Sequence, residues 1–98
     1  MITYEVVARS EPPLAADYED YMRRVHVPAV LATGCFVGAI FERTAEGLFR
    51  MRYQAGSQEA LDRYLQDHTS RLREEITARF PTGITFSRAI WSKLEQWG

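Results

Sequence analysis

Apolar and polar positions alternate with a period of two near both ends of the chain and in its middle. The stretches between them take helical spacing. Ile2, Tyr4, Val6 and Ala8 alternate with Thr3, Glu5, Val7 and Arg9. Their aromatic and β-branched content marks a strand over residues 2–9. From Leu14 the spacing lengthens, and Leu14, Tyr18, Tyr21, Met22, Val25 and Ala29 form one stripe. That stripe predicts a helix from about residue 13 to residue 27 or 31, entered through Ser10-Glu11-Pro12-Pro13. Pro28 disfavours helical angles at Val27, so the helix is expected to bend or end there. Gly34 supplies the positive φ of a helix exit.

Cys35, Val37, Ala39 and Phe41 then alternate with Phe36, Gly38, Ile40 and Glu42. Both sets are largely apolar through Ile40, the pattern of a strand covered on both faces, here over 35–43. Thr44 to Gly47 is a hairpin turn. A third strand over 48–55 sets Phe49, Met51, Tyr53 and Ala55 against Leu48, Arg50, Arg52 and Gln54. Ser57 is a helix cap. The stripe Leu61, Tyr64, Leu65, His68, Leu72 and Ile76 runs to about Arg79. One straight helix over 58–79 would be about 33 Å long, more than the strands beside it, so a break is expected at His68-Thr69-Ser70. Pro81-Thr82-Gly83 ends that element. A fourth strand over 84–92 and a tail over 93–98 complete the chain.

The order βαββαβ is that of an α+β, ferredoxin-like sandwich, an antiparallel four-stranded sheet with two helices on one face. The whole of 1–98 reads as a single domain. The other sheet face carries Thr3, Glu5, Val7 and the outer side of the two-sided strand. It reads as too apolar to stand in water. The expectation is a homodimer through the sheet face, forming a dimeric α/β barrel. A chain of 98 residues buries only roughly 60 to 68 % of its surface on folding, which favours such help.

Charge narrows the partners. With 12 basic and 13 acidic residues the formal charge is −1, which leaves no field to hold nucleic acid. One cysteine excludes an internal disulfide and a multi-cysteine metal site. No leader or membrane-spanning run is visible, so a cytoplasmic location is expected with no membrane partner. Neither a metal nor a cofactor is expected, because no phosphate loop, zinc-helix motif or nucleophile elbow is present.

Candidate chemistry is sparse. His26 lies just before Pro28 and about a quarter turn from the centre of its stripe. It is a candidate proton acceptor, or else a helix-end histidine bound to a carbonyl. With it, Tyr18 is the candidate catalytic pair. His68 lies in the second stripe and reads more as a satisfied core histidine than as a ligand. Tyr4, Tyr18, Tyr21 and Tyr53 either pack or line a small cavity with their hydroxyls. Glu5, Arg50 and Arg52, joined by Arg88 if its register matches, either hold an anion or form salt bridges. The ligand-binding candidates are therefore His68, Tyr4, Arg50 and Arg52. Cys35 has no basic neighbour and reads as a buried small hydrophobe rather than a nucleophile.

The run His26-Val27-Pro28-Ala29-Val30-Leu31-Ala32-Thr33-Gly34-Cys35-Phe36-Val37-Gly38-Ala39 resembles the small bacterial proteins grouped as "domain of unknown function" family 4286. So do the initial MITYEVV and the later RYLQDHTSRLREEITARF, and the likeness spans about residues 1–92. The resemblance implies a dimeric α/β barrel superfamily that includes antibiotic-biosynthesis-type monooxygenases, EthD-like proteins, muconolactone isomerase-like enzymes and haem-degrading enzymes. In the EthD-like branch a His-x-Pro run followed by glycine is similar to His26, Pro28 and Gly34. That likeness implies a place for His26 near a pocket between sheet and helices. The function expected is binding of a small, aromatic or anionic molecule. The alternatives are a cofactor-independent monooxygenase or isomerase on a small aromatic substrate, and a structural dimerisation domain without a ligand.

Overall fold

The computed structural model describes residues 1–98. Strands β1 (Ile2–Ser10), β2 (Gly38–Arg43), β3 (Leu48–Ala55) and β4 (Ile84–Ser92) form one antiparallel sheet in the order β2-β3-β1-β4. One face is covered by two helical runs. The first joins a 3-10 turn (Pro12–Leu14), α1 (Ala15–Tyr21), a π-helical turn (Met22–His26) and α2 (Val27–Ala32). The second joins α3 (Gln58–Asp67) to α4 (Thr69–Arg79).

Local chemistry explains most of these boundaries. Gly34 takes φ +75° at the exit of α2. The Ser57 hydroxyl accepts from the Ala60 amide at 3.2 Å and starts α3. His68, at φ −125°, separates α3 from α4, and the Thr69 hydroxyl donates to the Tyr64 carbonyl at 3.2 Å across the break. The core lies between the layers. Tyr4, Phe49, Met51 and Tyr53 from the sheet meet Tyr18, Met22, Leu61, Tyr64 and Leu72 from the helices, all nearly solvent-free.

The sheet is open, not closed into a barrel. β2 and β4 are its edges and make no pairing with each other. This corrects the barrel expected from the sequence, and the reason lies at residues 35–37. Those residues are not strand; β2 begins only at Gly38. Cys35 and Phe36 turn into the helix-side core, while Val37 is exposed. The strand apolar on both faces therefore does not exist. The free face of the sheet instead carries Glu5, Glu42, Arg50 and Arg52 among Val7, Leu48 and Ile40.

Pro28 does not end the first helical run, which continues to Ala32, near the later of the two ends expected, but the turn before it is altered. Proline has no N–H to offer the Arg24 carbonyl, and its ring crowds that carbonyl in a regular α-helix. The backbone widens instead, and the Val27 amide donates back five residues to the Met22 carbonyl. The wider turn also changes which residues face inward. On a regular helix a spacing of four drifts about 40° per step. The π turn offsets that drift, so Tyr18, Met22, His26 and Val30 all point at the sheet side. Val25, assigned to the apolar stripe by regular spacing, is 47 % exposed.

Candidate functional site

A cavity of about 30 Å³ lies between the sheet and the helices. This is room for about two water molecules as it stands. Its floor is Tyr4 and Val6 of β1, Tyr53 of β3, and Phe86 and Arg88 of β4. Its roof is Tyr18, Met22 and His26 from the first helical run, and Tyr64, Leu72, Arg73 and Ile76 from the second. Alternation along each strand places Tyr4, Val6, Tyr53, Phe86 and Arg88 on one side of the sheet. The register Tyr4↔Tyr53 and Val6↔Arg88 sets them beside one another.

The polar atoms inside are incompletely paired. The imidazole Nδ1 of His26 and the hydroxyl of Tyr53 are buried and have no hydrogen-bond partner in the chain. Tyr53 is only 2 % exposed. Buried polar groups are almost always hydrogen-bonded, and leaving one unpaired costs about 1–3 kcal/mol. Both residues line this one cavity, which makes it the place where an entering molecule would supply the missing partners. The Tyr4 hydroxyl, by contrast, accepts from Arg73 Nη2 at 3.1 Å.

Burial also sets the protonation states. Desolvation, followed by the positive charge of Arg88, pushes the pKa of His26 down to about 4. The imidazole is thus neutral near pH 7. Desolvation raises the phenol pKa of Tyr18, Tyr53 and Tyr64 well above the usual tyrosine value of 10.0. These three stay protonated and act as donors. For Tyr53 the neighbouring phenols Tyr64, Tyr18 and Tyr4 add to the rise.

The residues singled out from the sequence divide into three groups. His26, Tyr18 and Tyr4 meet at the cavity. His68 stands apart at the α3–α4 junction, its ring 6.2 Å from that of Tyr64 and its Nδ1 3.4 Å from Arg71 Nη2. Arg50 and Arg52 lie on the opposite face of the sheet. There Arg50 Nη2 donates to Glu42 at 2.8 Å, and Arg52 is 4.0 Å from the same carboxylate. Arg88 does not join them, because its register opposite Val6 turns it to the helix side. Tyr53 was legible as a possible cavity residue from its apolar strand face. Tyr64 appeared only as a member of a helical stripe, and Arg73 carried no signal at all. No group of three or more His, Cys, Asp or Glu side chains is placed to hold a metal ion. No helix is long and apolar enough to cross a membrane.

Comparison with solved structures extends the fold. The chain is similar to SnoaB from Streptomyces nogalater, described as a cofactor-independent oxygenase. The TM-score is 0.76 at 13% identity, covering 97% of this chain and 94% of that one. It is similar to an ethyl tert-butyl ether D (EthD) family protein from Bacillus halodurans, with TM-score 0.67, 13% identity, and 96% and 100% coverage. A dimeric ferredoxin-like protein from an uncultured marine organism matches with TM-score 0.72 at 6% identity, over 99% and 98% of the two chains. At such identities the shared property is the fold alone. No curated protein matches the sequence. The family model described as "Domain of unknown function (DUF4286)" matches residues 1–94, and the chain belongs to that family.

Proposed function

We propose that this protein is a cofactor-independent oxygenase acting on a small, electron-rich phenol or quinol, with His26 as proton acceptor and Tyr18 as the hydroxyl that orients the substrate. The observation that carries this reading is the pair of buried, unpartnered polar atoms on one aromatic cavity, His26 Nδ1 and Tyr53 Oη. SnoaB, which shares the fold, is described as a cofactor-independent oxygenase.

The chemistry follows from the protonation states. A neutral imidazole held in a desolvated site takes a proton only when negative charge forms beside it. Proton transfer from the substrate to His26 creates that charge, and the new ion pair stabilises both partners. The substrate anion then gives an electron pair to O2, and a C–O bond forms. The O–O bond of the resulting peroxide breaks with loss of water, leaving a carbonyl on the ring. One oxygen atom ends in product and one in water, and the substrate supplies all the electrons. Protonated Tyr18 and Tyr53 donate to the oxygen on which charge accumulates. An aromatic ring is larger than the resting cavity of about 30 Å³, so its entry displaces side chains of the lining.

The test is oxygen uptake with a panel of phenols and quinols, comparing wild type with His26→Ala and Tyr18→Phe. Turnover by wild type that is lost in His26→Ala supports the reading. Equal turnover in both, or none by wild type on any member, overturns it.

We also propose that two copies pair through the free face of the sheet. Val7, Leu48, Ile40 and Trp91 lie there, Ile40 and Trp91 well exposed, and a relative of the same fold is dimeric. Sedimentation velocity should give a dimer that Ile40→Lys dissociates. A single-chain mass for wild type at high concentration rules the pairing out.

A further inference from the structure

We propose that the cavity selects a substrate carrying a carboxylate or another fixed anionic group, bound between the guanidinium groups of Arg73 and Arg88 at its mouth. The proposal rests on the reading of this cavity as the ligand site.

Two observations carry it. Not one acidic side chain lines the cavity, although two arginines do. Neither arginine is in an ion pair. Arg73 is held by the neutral Tyr4 hydroxyl at 3.1 Å, and Arg88 lies over the Phe86 ring with its guanidinium carbon 5.5 Å from the centroid. Of the other nine arginines, Arg23, Arg24, Arg43, Arg50 and Arg52 find carboxylates and Arg9, Arg63, Arg71 and Arg79 do not, so what sets Arg73 and Arg88 apart is their place together on an acid-free cavity. Each cavity arginine is therefore oriented by an aromatic neighbour that leaves its charge uncompensated. The planar, multi-donor guanidinium group suits a carboxylate in particular, since it can bind both oxygens at once. The field of Arg88 reaches His26, Tyr18 and Tyr64, and that of Arg73 reaches Tyr64, so both charges are felt at the cavity.

The geometry also gives the anion a position. Arg73 projects from α4 and Arg88 from edge strand β4, and both are exposed, so the charged end of the ligand sits at the rim and the ring enters. Unpartnered Tyr53 and His26 meet the ring's own oxygen or acidic hydrogen farther in. An aromatic acid with its hydroxyl at the far end of the ring has this arrangement of groups.

The test is equilibrium binding of 6-hydroxy-2-naphthoate and of its neutral carboxamide, followed by naphthyl fluorescence at low salt. Wild type should bind the carboxylate about tenfold or more tighter than the amide, as expected for charge-assisted bidentate bonds. Arg73→Met/Arg88→Met should bring that ratio to about one while leaving the Kd of the amide within about twofold. Arg73→Lys/Arg88→Lys, which keeps the charge and controls for folding, should retain part of the preference. Equal affinity of wild type for acid and amide overturns the anion inference and leaves the cavity reading intact. A preference that survives in the double methionine variant also overturns it. Failure of wild type to bind either probe overturns the cavity reading, and the anion inference falls with it.

Discussion

On the free face of the sheet, Glu42 accepts two bonds from Arg50 and lies 4.0 Å from Arg52, and the Trp91 indole donates to Glu5 at 3.2 Å. On the helix side, Arg73 and Arg88 have no carboxylate, and His26 and Tyr53 keep buried polar atoms without partners. The same residue types thus serve opposite ends. Charges on the free face satisfy one another within the chain, so they offer a small molecule few unmade bonds. Polar groups on the helix side are withheld from each other in a dry aromatic setting. The difference teaches that a binding site is recognised less by which polar residues it holds than by how many of their bonds remain unmade.

The sharpest way to break the contrast is catalytic. His26→Ala should lower turnover by roughly 10²–10⁴-fold, the range for loss of a general base, while Arg50→Gln on the other face leaves it unchanged. Steady-state oxygen uptake of the two variants decides. Equal loss in both would remove the distinction between the faces.

The next largest effect is on pH. His26 has a folded pKa of about 4 against 6.5 ordinarily, so between those values the unfolded chain binds more protons than the folded one. Stability is therefore full above about pH 6.5 and falls as the pH drops toward 4. At about 1.4 kcal/mol per pKa unit the loss has an upper bound of about 3 kcal/mol. The raised phenols act at the other end, their stabilisation present below pH 10.0 and lost above it. Urea unfolding of wild type and His26→Gln across pH 4–7 should show the acid slope flattened in the variant.

Smaller still is Tyr53→Phe. Removing an unpaired buried hydroxyl should raise stability by up to about 1 kcal/mol and weaken ligand binding, a gain and a loss in one substitution. Thermal unfolding and ligand titration on the same samples test both halves. Smallest is Glu42→Gln, which breaks the exposed ion pairs with Arg50 and Arg52. It should cost less than about 1 kcal/mol by chemical denaturation, and less again at high salt.

Much of the architecture was legible because it is written in neighbouring residues. Ser57 capping α3, the break at His68, Gly34 at the exit of α2 and the alternation of β3 each depend on a few adjacent side chains. What failed was the reading of Cys35 to Val37. Apolar residues on both sides of a strand and apolar residues in a loop folded into the core give the same local pattern. The barrel inferred from that pattern went with it. The site was half legible in the same sense. His26, Tyr18 and Tyr4 line one cavity, whereas Tyr64 reads in the sequence only as a member of a helical stripe and Arg73 gives no signal there.

Sequence alone determined the order of the elements and the apolar sides of β1, β3 and α3, because hydrophobic period, caps and turn residues act over short range. Only the tertiary structure decided the π turn that swings His26 inward and exposes Val25. It also decided the β1–β4 register that sends Arg88 to the helix side and the crossing of α4 that brings Arg73 to the same opening. These depend on pairings between residues as far apart as Val6 and Arg88. A one-residue slip in such a register turns every side chain of the strand to the other face, and no local pattern in β4 fixes which way it goes.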